Sequence, residues 1–116
     1  MAIKGTVVSG TGKGKMYVKE YAEELERVLG FSPFHGTLNL KVKKKPEYNG
    51  HEKISVRDGQ PNQVDCYLVT IDGTYDGAIV LPQKTEHGSD IIELVAAVDL
   101  RERLSLKDGD EIECEL

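Results

Sequence analysis

The sequence lacks the residues and patterns that mark several large classes of protein. It has no tryptophan, and its two cysteines, Cys66 and Cys114, lie far apart with no Cys-x-x-Cys pair or Cys/His cluster near them. Structural zinc is therefore not expected, and we predict that both cysteines are buried free thiols. No apolar run is long enough to cross a bilayer, and the N-terminus has neither the apolar stretch nor the cleavage site of a signal peptide. We therefore expect a cytoplasmic protein with no membrane partner.

Positive charge is also in short supply. The chain has 15 lysines and arginines against 20 aspartates and glutamates, which gives a net charge of −5. Because binding to nucleic acid requires a basic surface, we expect no nucleic-acid partner. The local exception is Lys41–Lys45, which reads KVKKK. We interpret it as the solvated end of a strand, where lysines discourage pairing between sheets.

The pattern that is present is one of short alternating strands. The 116 residues, 39% of them hydrophobic, predict one domain spanning residues 1–116. Strands are predicted at Ile3–Val8, Thr37–Val42, Lys53–Val56, Val64–Ile71, Gly77–Leu81, Ile91–Val98 and Glu111–Leu116. Helices are predicted at Val18–Leu29, with Gly30 as the C-cap, and at Asp99–Leu104, with Asp99 as the N-cap. The fold class is therefore mostly β with short helices, and a small closed barrel is favoured because closure removes exposed strand edges.

A glycine-rich segment follows the first predicted strand. Residues Val7–Val18 read VVSGTGKGKMYV, with glycine at every second position from Gly10 to Gly14 and with Lys13 and Lys15 beside them. Alternating glycines let the backbone approach a ligand and turn its N–H groups toward an anion, and the helix that follows favours phosphate at its N-terminus. A flexible hairpin with solubilising lysines fits the segment equally well.

The segment matches neither of the two common nucleotide-binding motifs. If Gly14-Lys15 supplied the GK of a P-loop, Ser9 would stand in place of the first glycine and Met16 in place of the magnesium-binding hydroxyl. The dinucleotide fingerprint fails as well, because Tyr17 occupies the position of its last glycine.

Four segments taken together resemble the archaeal CTP-dependent riboflavin kinases. They read GTVVSGTGKGK (Gly5–Lys15), LGFSPFHGTLNLKV (Leu29–Val42), DGAIVLPQKTEHGSDIIELVA (Asp76–Ala96) and LRERLSLKDGDEI (Leu100–Ile112). The resemblance implies a small six-stranded cradle-loop β-barrel. It also implies a reaction in which CTP and riboflavin give CDP and FMN with Mg²⁺ as cofactor.

The resemblance assigns roles by position. It implies that CTP is bound by Thr11, Gly12, Lys13, Gly14, Lys15 and Met16, and by a second segment of Val98, Asp99, Leu100 and Arg101. By the same resemblance Thr37 and Asn39 hold the magnesium, while Thr85 and Glu93 contact the flavin. The family pattern has an arginine and then an aromatic residue where this chain has Lys15 and Met16, and lysine cannot grip phosphate with a planar fork.

The chemistry of the metal-binding pair can be examined from the residues. Thr37 and Asn39 are two positions apart on one predicted strand, so their side chains share a face. Neutral oxygens suit Mg²⁺, although two of them form a weak site without nucleotide phosphates. A hydrogen-bonded, exposed strand face is the alternative for the same two residues.

Glu93 is the candidate catalytic residue. Strand alternation places it on one face with Ile91 and Val95, either on the outside of the barrel or against a ligand. The general base stays open, since phosphoryl transfer depends mainly on positioning and charge stabilisation. His87 is the other residue considered for that role, and a surface position is the simpler interpretation of it.

Two other functions remain possible at this point. Related swapped-hairpin barrels bind DNA and have C-terminal segments like LRERLSLKDGDEIECEL, so a DNA-binding transcriptional regulator is the alternative. A flavin or nucleotide binder without catalysis is the third possibility. We expect a monomer whose partners are CTP/CDP and riboflavin/FMN.

Overall fold

The computed structural model describes residues 1–10, 13–82 and 90–116, with Lys13 described by its backbone alone. Within these ranges the strands are β1 (Ala2–Val8), β2 (Leu38–Val42), β3 (Ile54–Val56), β4 (Val64–Ile71), β5 (Tyr75–Pro82), β6 (Ile91–Ala96) and β7 (Glu111–Glu115). The helices are α1 (Lys13–Glu20), α2 (Ala22–Leu29) and α3 (Leu100–Arg103).

Six of these strands close into a barrel. The neighbours run β4-β5-β6-β2-β1-β7, and β7 pairs back onto β4 through Thr70–Glu115 and Ile71–Cys114. Every pairing is antiparallel. The short strand β3 adds to the other end of β4, where Val56 faces Val64. The predicted mostly-β, six-stranded barrel is confirmed, with one strand more than the barrel itself needs.

The barrel interior is a continuous apolar core. Each of the six barrel strands contributes to it with its alternate residues, and in β2 these are Leu38, Leu40 and Val42. In β6 the interior residues include Leu94, which is 1% exposed. Since side chains alternate between the two faces of a strand, the residues between these positions must lie on the outside of the barrel.

A second apolar cluster covers part of that outside. Helices α1 and α2 lie over it with their buried residues Val18, Leu25 and Leu29, and Val80 and Val95 meet them from β5 and β6. The barrel therefore has one outer region that is covered by helices, and polar residues of the neighbouring strands open into the same region.

The first helical region differs from its prediction. A single helix was predicted at Val18–Leu29, but α1 already begins at Lys13 and the chain bends at Tyr21 before α2. Glycine disfavours a helix interior, which is why the sequence predicts a loop at Gly14. A close contact with β2, described below, requires glycine at that position.

Several local predictions are confirmed. Gly30 ends α2 in the left-handed conformation at φ 81°. Asp99 is the N-cap of α3 and accepts hydrogen bonds from the backbone N–H groups of Arg101 and Glu102. Cys66 and Cys114 are buried free thiols, and burial raises the pKa of Cys66 to about 12 and that of Cys114 to about 11. Across the described ranges, none of the helices combines the length and apolar character needed to span a membrane.

Candidate active site

Two buried polar residues lie side by side on the outer face of the barrel. Asn39 in β2 and Glu93 in β6 are direct partners in the strand ladder, and they are 7% and 8% exposed. Among the residues that the structure describes, these two are the buried polar or charged residues. The predicted face of Glu93, shared with Val95 and opposite Leu94, is confirmed.

Thr37 completes this polar group. It lies immediately before β2, and its hydroxyl donates a hydrogen bond to Glu93 Oε1 at 3.2 Å. The carboxylate of Glu93 therefore has at least one protein donor. Asn39 and Glu93 belong to neighbouring strands, so the register of the ladder fixes their spacing, and Thr37 adjoins them from the residue before β2.

The amide of Asn39 is incompletely satisfied. Its Oδ1 atom is buried and has no hydrogen-bond partner among the described residues. A buried acceptor without a donor is costly, and a cation or a ligand donor relieves that cost. Together with the Thr37 hydroxyl it forms a neutral-oxygen pair, the donor type that a hard divalent cation accepts. The residues therefore fit magnesium chemically, with the remaining ligands to come from elsewhere.

The glycine segment packs directly on these two oxygen-bearing side chains. A methyl group added at Gly10 would overlap the amide nitrogen of Asn39, and one added at Gly14 would overlap the hydroxyl of Thr37. Only glycine permits such close approach of the backbone. The glycine segment and the GTLNL strand therefore meet at one place, as the sequence interpretation requires.

The beginning of α1 suits an anion. No acidic residue stands in its first turn, and the backbone N–H groups there have no intrahelical acceptors. The helix begins at Lys13, beside Thr37, through the contact with Gly14. Of the lysines, Lys15 also borders the cleft described next.

A cleft of about 300 Å³ connects this region with α3. Its walls include Lys15, Phe34, Thr37, Val98, Asp99 and Arg101. Both predicted nucleotide-binding segments therefore border the same space. Leu100 also lines the cleft, although its side chain belongs to the interior core.

A polar network ties α3 to the start of the glycine segment. One terminal nitrogen of Arg101 donates to the backbone carbonyl of Val8 at 3.2 Å and to Asp108 Oδ1 at 2.7 Å. The hydroxyl of Ser9 donates to the other oxygen of Asp108. These hydrogen bonds from Ser9 and Arg101 lower the pKa of Asp108 below its usual value. The network fixes the point at which the chain leaves β1 and enters the glycines.

The structure thus brings together most of the predicted site residues that it describes. The residues that border one cleft or touch its wall are Gly14, Lys15, Thr37 and the segment Val98–Arg101. The cleft adjoins Asn39 and Glu93. Met16 is the exception, because its side chain is 73% exposed. Some of the predicted positions lie outside the described residues: Thr11, Gly12, Thr85, His87 and the side chain of Lys13.

Tyr17 carries a buried hydroxyl near Glu93, and the sequence interpretation assigned it no role. It belongs to α1, and its hydroxyl is buried with no hydrogen-bond partner within residues 1–10, 13–82 and 90–116. Burial is the main cause that raises its pKa, and Cys66 and Glu93 raise it further. No pattern in the sequence separates this tyrosine from an ordinary core aromatic, because the register of α1 decides where its hydroxyl lies.

Comparison with known proteins finds one family along almost the whole chain. A family model named CTP-dep_RFKase, described as domain of unknown function DUF120, matches residues 7–116. A riboflavin kinase of Thermococcus kodakarensis is 43% identical over 98% of this chain and 58% of its own length. One of Archaeoglobus fulgidus is 37% identical over 98% of this chain and 54% of its own length. One of Sulfurisphaera tokodaii is 34% identical over 98% of this chain and 93% of its own length.

The relatives differ from this chain in length. The chain spans a little over half of the Archaeoglobus and Thermococcus proteins and nearly all of the Sulfurisphaera protein. The shared part is the barrel with its glycine segment.

Proposed function

The chain belongs to the CTP-dependent riboflavin kinase family, and from that premise we propose that it transfers the γ-phosphate of CTP to the 5′-hydroxyl of riboflavin. The products are CDP and FMN. The observation that carries the proposal is the contact of Gly10 and Gly14 with Asn39 and Thr37. Because of this contact an anion-binding segment, two neutral oxygen ligands and the carboxylate of Glu93 occupy one patch.

The triphosphate of CTP binds at the glycine segment in this proposal. Residues Thr11 to Met16 contact it, the first N–H groups of α1 point at it, and the lysines neutralise its charge. The absence of acidic side chains from the first turn of α1 supports this placement. The residues Val98–Arg101 border the same cleft and would hold the rest of the nucleotide.

Thr37 and Asn39 would hold the Mg²⁺ through their side-chain oxygens. The unpartnered Oδ1 atom of Asn39 supports this role. When bound, the ion would neutralise the negative charge that develops on the phosphate oxygens during transfer. Since both proposed ligands are neutral oxygens, metal binding should depend on nucleotide.

Glu93 is the proposed acceptor for the proton of the attacking hydroxyl. In the transfer the 5′-oxygen of riboflavin forms a bond to the γ-phosphorus while the bond from that phosphorus to the β–γ bridging oxygen breaks. The proton of the hydroxyl passes to the Glu93 carboxylate, and the electron pair of the broken bond stays on CDP. The hydrogen bond from Thr37 holds the carboxylate in place for this step. Thr85, which lies outside the described residues, is the second proposed flavin contact.

Preference for CTP over ATP would come from the segment beside α3. A site that hydrogen-bonds to one base rejects another base that leaves those bonds unmade. Val98 and Asp99 line the same cleft as Lys15, and in this proposal their backbone N–H and C=O groups pair with the base. We expect CTP to support turnover better than ATP. Equal turnover rates with the two nucleotides would contradict recognition of the base by this segment.

The decisive assay combines purified protein, riboflavin, CTP and Mg²⁺ and measures FMN and CDP by chromatography. The proposal predicts equal amounts of FMN and CDP, and no FMN when Mg²⁺ is chelated. Riboflavin fluorescence quenched on binding without any FMN would identify a binder without catalysis. A shift of duplex DNA in a gel, with no flavin binding, would favour the regulator instead.

A further inference from the structure

The Tyr17 hydroxyl is a buried polar group that the proposed reaction does not yet use. Its oxygen has almost no solvent-accessible surface, so it is not exposed to bulk water. None of the described residues forms a hydrogen bond with it. Such a group costs stability in the free protein, and native proteins retain few of them. Its neighbour Tyr21 shows the ordinary solution, because the Tyr21 hydroxyl donates to the carbonyl of Asn62 at 2.8 Å.

Tyr17 also stands between two regions. Its ring lines an apolar cleft of about 260 Å³ together with Tyr21, Pro61, Val64 and Pro82. The two tyrosine rings lie 5.4 Å apart and are tilted by 55°. Burial raises the pKa of its hydroxyl, and the neighbouring Cys66 and Glu93 raise that pKa further.

The walls of this cleft favour a flat ligand. Most of the wall surface is apolar and comes from tyrosine and proline rings and a valine, while Glu20, Asn62 and Gln63 also border the cleft. Such walls suit an aromatic ring system better than a polyhydroxyl chain. The cleft ends at Pro82, the last residue of β5, on the same side of the barrel as Glu93. A flat ligand in this cleft would contact Tyr17, the residue that carries the buried hydroxyl.

We propose that the Tyr17 hydroxyl donates a hydrogen bond to a ring carbonyl of the bound flavin and thereby determines how tightly the isoalloxazine ring is held. The inference rests on the proposed function, since it takes riboflavin as the ligand. It adds a substrate-binding residue that the family resemblance does not assign. Because burial keeps the phenol protonated, it remains a donor across the physiological pH range.

The test uses Tyr17→Phe, which removes the hydroxyl and keeps the ring. Flavin binding is measured by fluorescence titration with riboflavin and with lumiflavin, which has the ring and no ribityl chain. We expect both dissociation constants to rise by about 3- to 10-fold, because one neutral hydrogen bond is lost. The KM for CTP should stay unchanged. The melting temperature of the ligand-free protein should stay level or rise by about 2–6 °C, since a buried hydroxyl without a partner is removed.

Two control variants make the result specific. Tyr21→Phe removes a hydroxyl that has a partner, so it should lower the melting temperature of the free protein. Tyr67→Phe changes a tyrosine that stacks on Tyr48, on the face of β4 opposite Cys66, and should leave flavin affinity unchanged.

Each of the other outcomes contradicts either the inference or the proposed function. If Tyr17→Phe binds both flavins as tightly as wild type, and wild type makes FMN, the inference fails and the proposed function stands. If riboflavin binding weakens and lumiflavin binding does not, the hydroxyl contacts the ribityl chain and the ring assignment is wrong. If affinity for CTP and the melting temperature fall together with flavin affinity, Tyr17 is structural and the inference fails. If wild type neither binds nor phosphorylates riboflavin, the proposed function itself is wrong and the inference is wrong with it.

Discussion

The inner and outer faces of the same strands bury different kinds of side chain in this protein. In β2, Leu40 is completely buried inside the barrel, while the next residue back along the chain, Asn39, is almost as buried on the outside. The inner face is apolar in every strand, and its residues serve packing. The outer face beneath α1 holds Asn39, Glu93 and the hydroxyl of Tyr17, which are buried polar groups that a stable fold alone would not select. At these neighbouring positions burial is similar on the two faces, so the chemistry of the buried groups, and not their burial, separates structure from function.

The largest expected effect is on the inner face. Leu40→Ala should lower the free energy of unfolding by about 2–5 kcal/mol, because it leaves a cavity in a closely packed core. Chemical denaturation measures the loss. Under conditions where the variant is folded, its kcat should be within a few-fold of wild type. A variant that is as stable as wild type would contradict the assignment of this face to packing.

Asn39→Ala, one position away, should have the opposite profile. We expect kcat to fall by about 100-fold or more, since one of the two proposed magnesium ligands is lost. Stability should change by less than about 1 kcal/mol, because the Oδ1 atom has no partner to lose among the described residues. Steady-state kinetics and denaturation on the same sample separate the two quantities. An unchanged rate would remove the metal assignment.

Gly14→Ala tests the contact between α1 and the outer face. The added methyl group meets the Thr37 hydroxyl, so the helix must move away from β2, and we expect kcat/KM for CTP to fall by about 10-fold. Gly30→Ala is the matched control. Its φ of 81° makes the substitution cost about 1 kcal/mol of stability, but nothing lies near the added methyl group. Equal rate losses in both variants would mean that the effect is general to the helices.

The smallest expected effect concerns the network that anchors the glycine segment. The pKa of Asp108 is lower in the folded protein than its usual value because Ser9 and Arg101 donate to it. A lowered pKa means that the stability contributed by the carboxylate is present above its unfolded pKa, near 4, and is lost as the pH falls through the folded value. The melting temperature of wild type should therefore exceed that of Asp108→Asn by a constant small amount above about pH 5. The gap should close below about pH 4. A gap that widens on acidification would contradict this account.

The sequence predicted the inner face better than the outer one. Alternation in β2 and β6 reveals the interior residues directly, and closure of the barrel follows from many short strands without long crossovers. The caps at Asp99 and Gly30 could also be predicted, because each depends on one residue and its immediate neighbours.

The outer face depends on contacts between distant segments. Gly14 appears in the sequence as a loop residue, and only its contact with Thr37 explains why a glycine stands in a helix. The position of the Tyr17 hydroxyl depends on where α1 begins, which the glycines conceal. The roles of Thr37, Asn39 and Glu93 came from the family resemblance, since a polar strand face fits their sequence equally well.

In the proposed reaction, triphosphate and flavin meet on the outer face of the barrel, between the glycine segment and the Asn39–Glu93 pair. A crystal structure with a non-hydrolysable CTP analogue, Mg²⁺ and riboflavin tests it most directly. We expect the metal on the oxygens of Thr37 and Asn39 and the riboflavin 5′-hydroxyl oxygen within about 3.5 Å of the γ-phosphorus. Nucleotide and flavin in separate sites, or a metal bound away from β2, would contradict it.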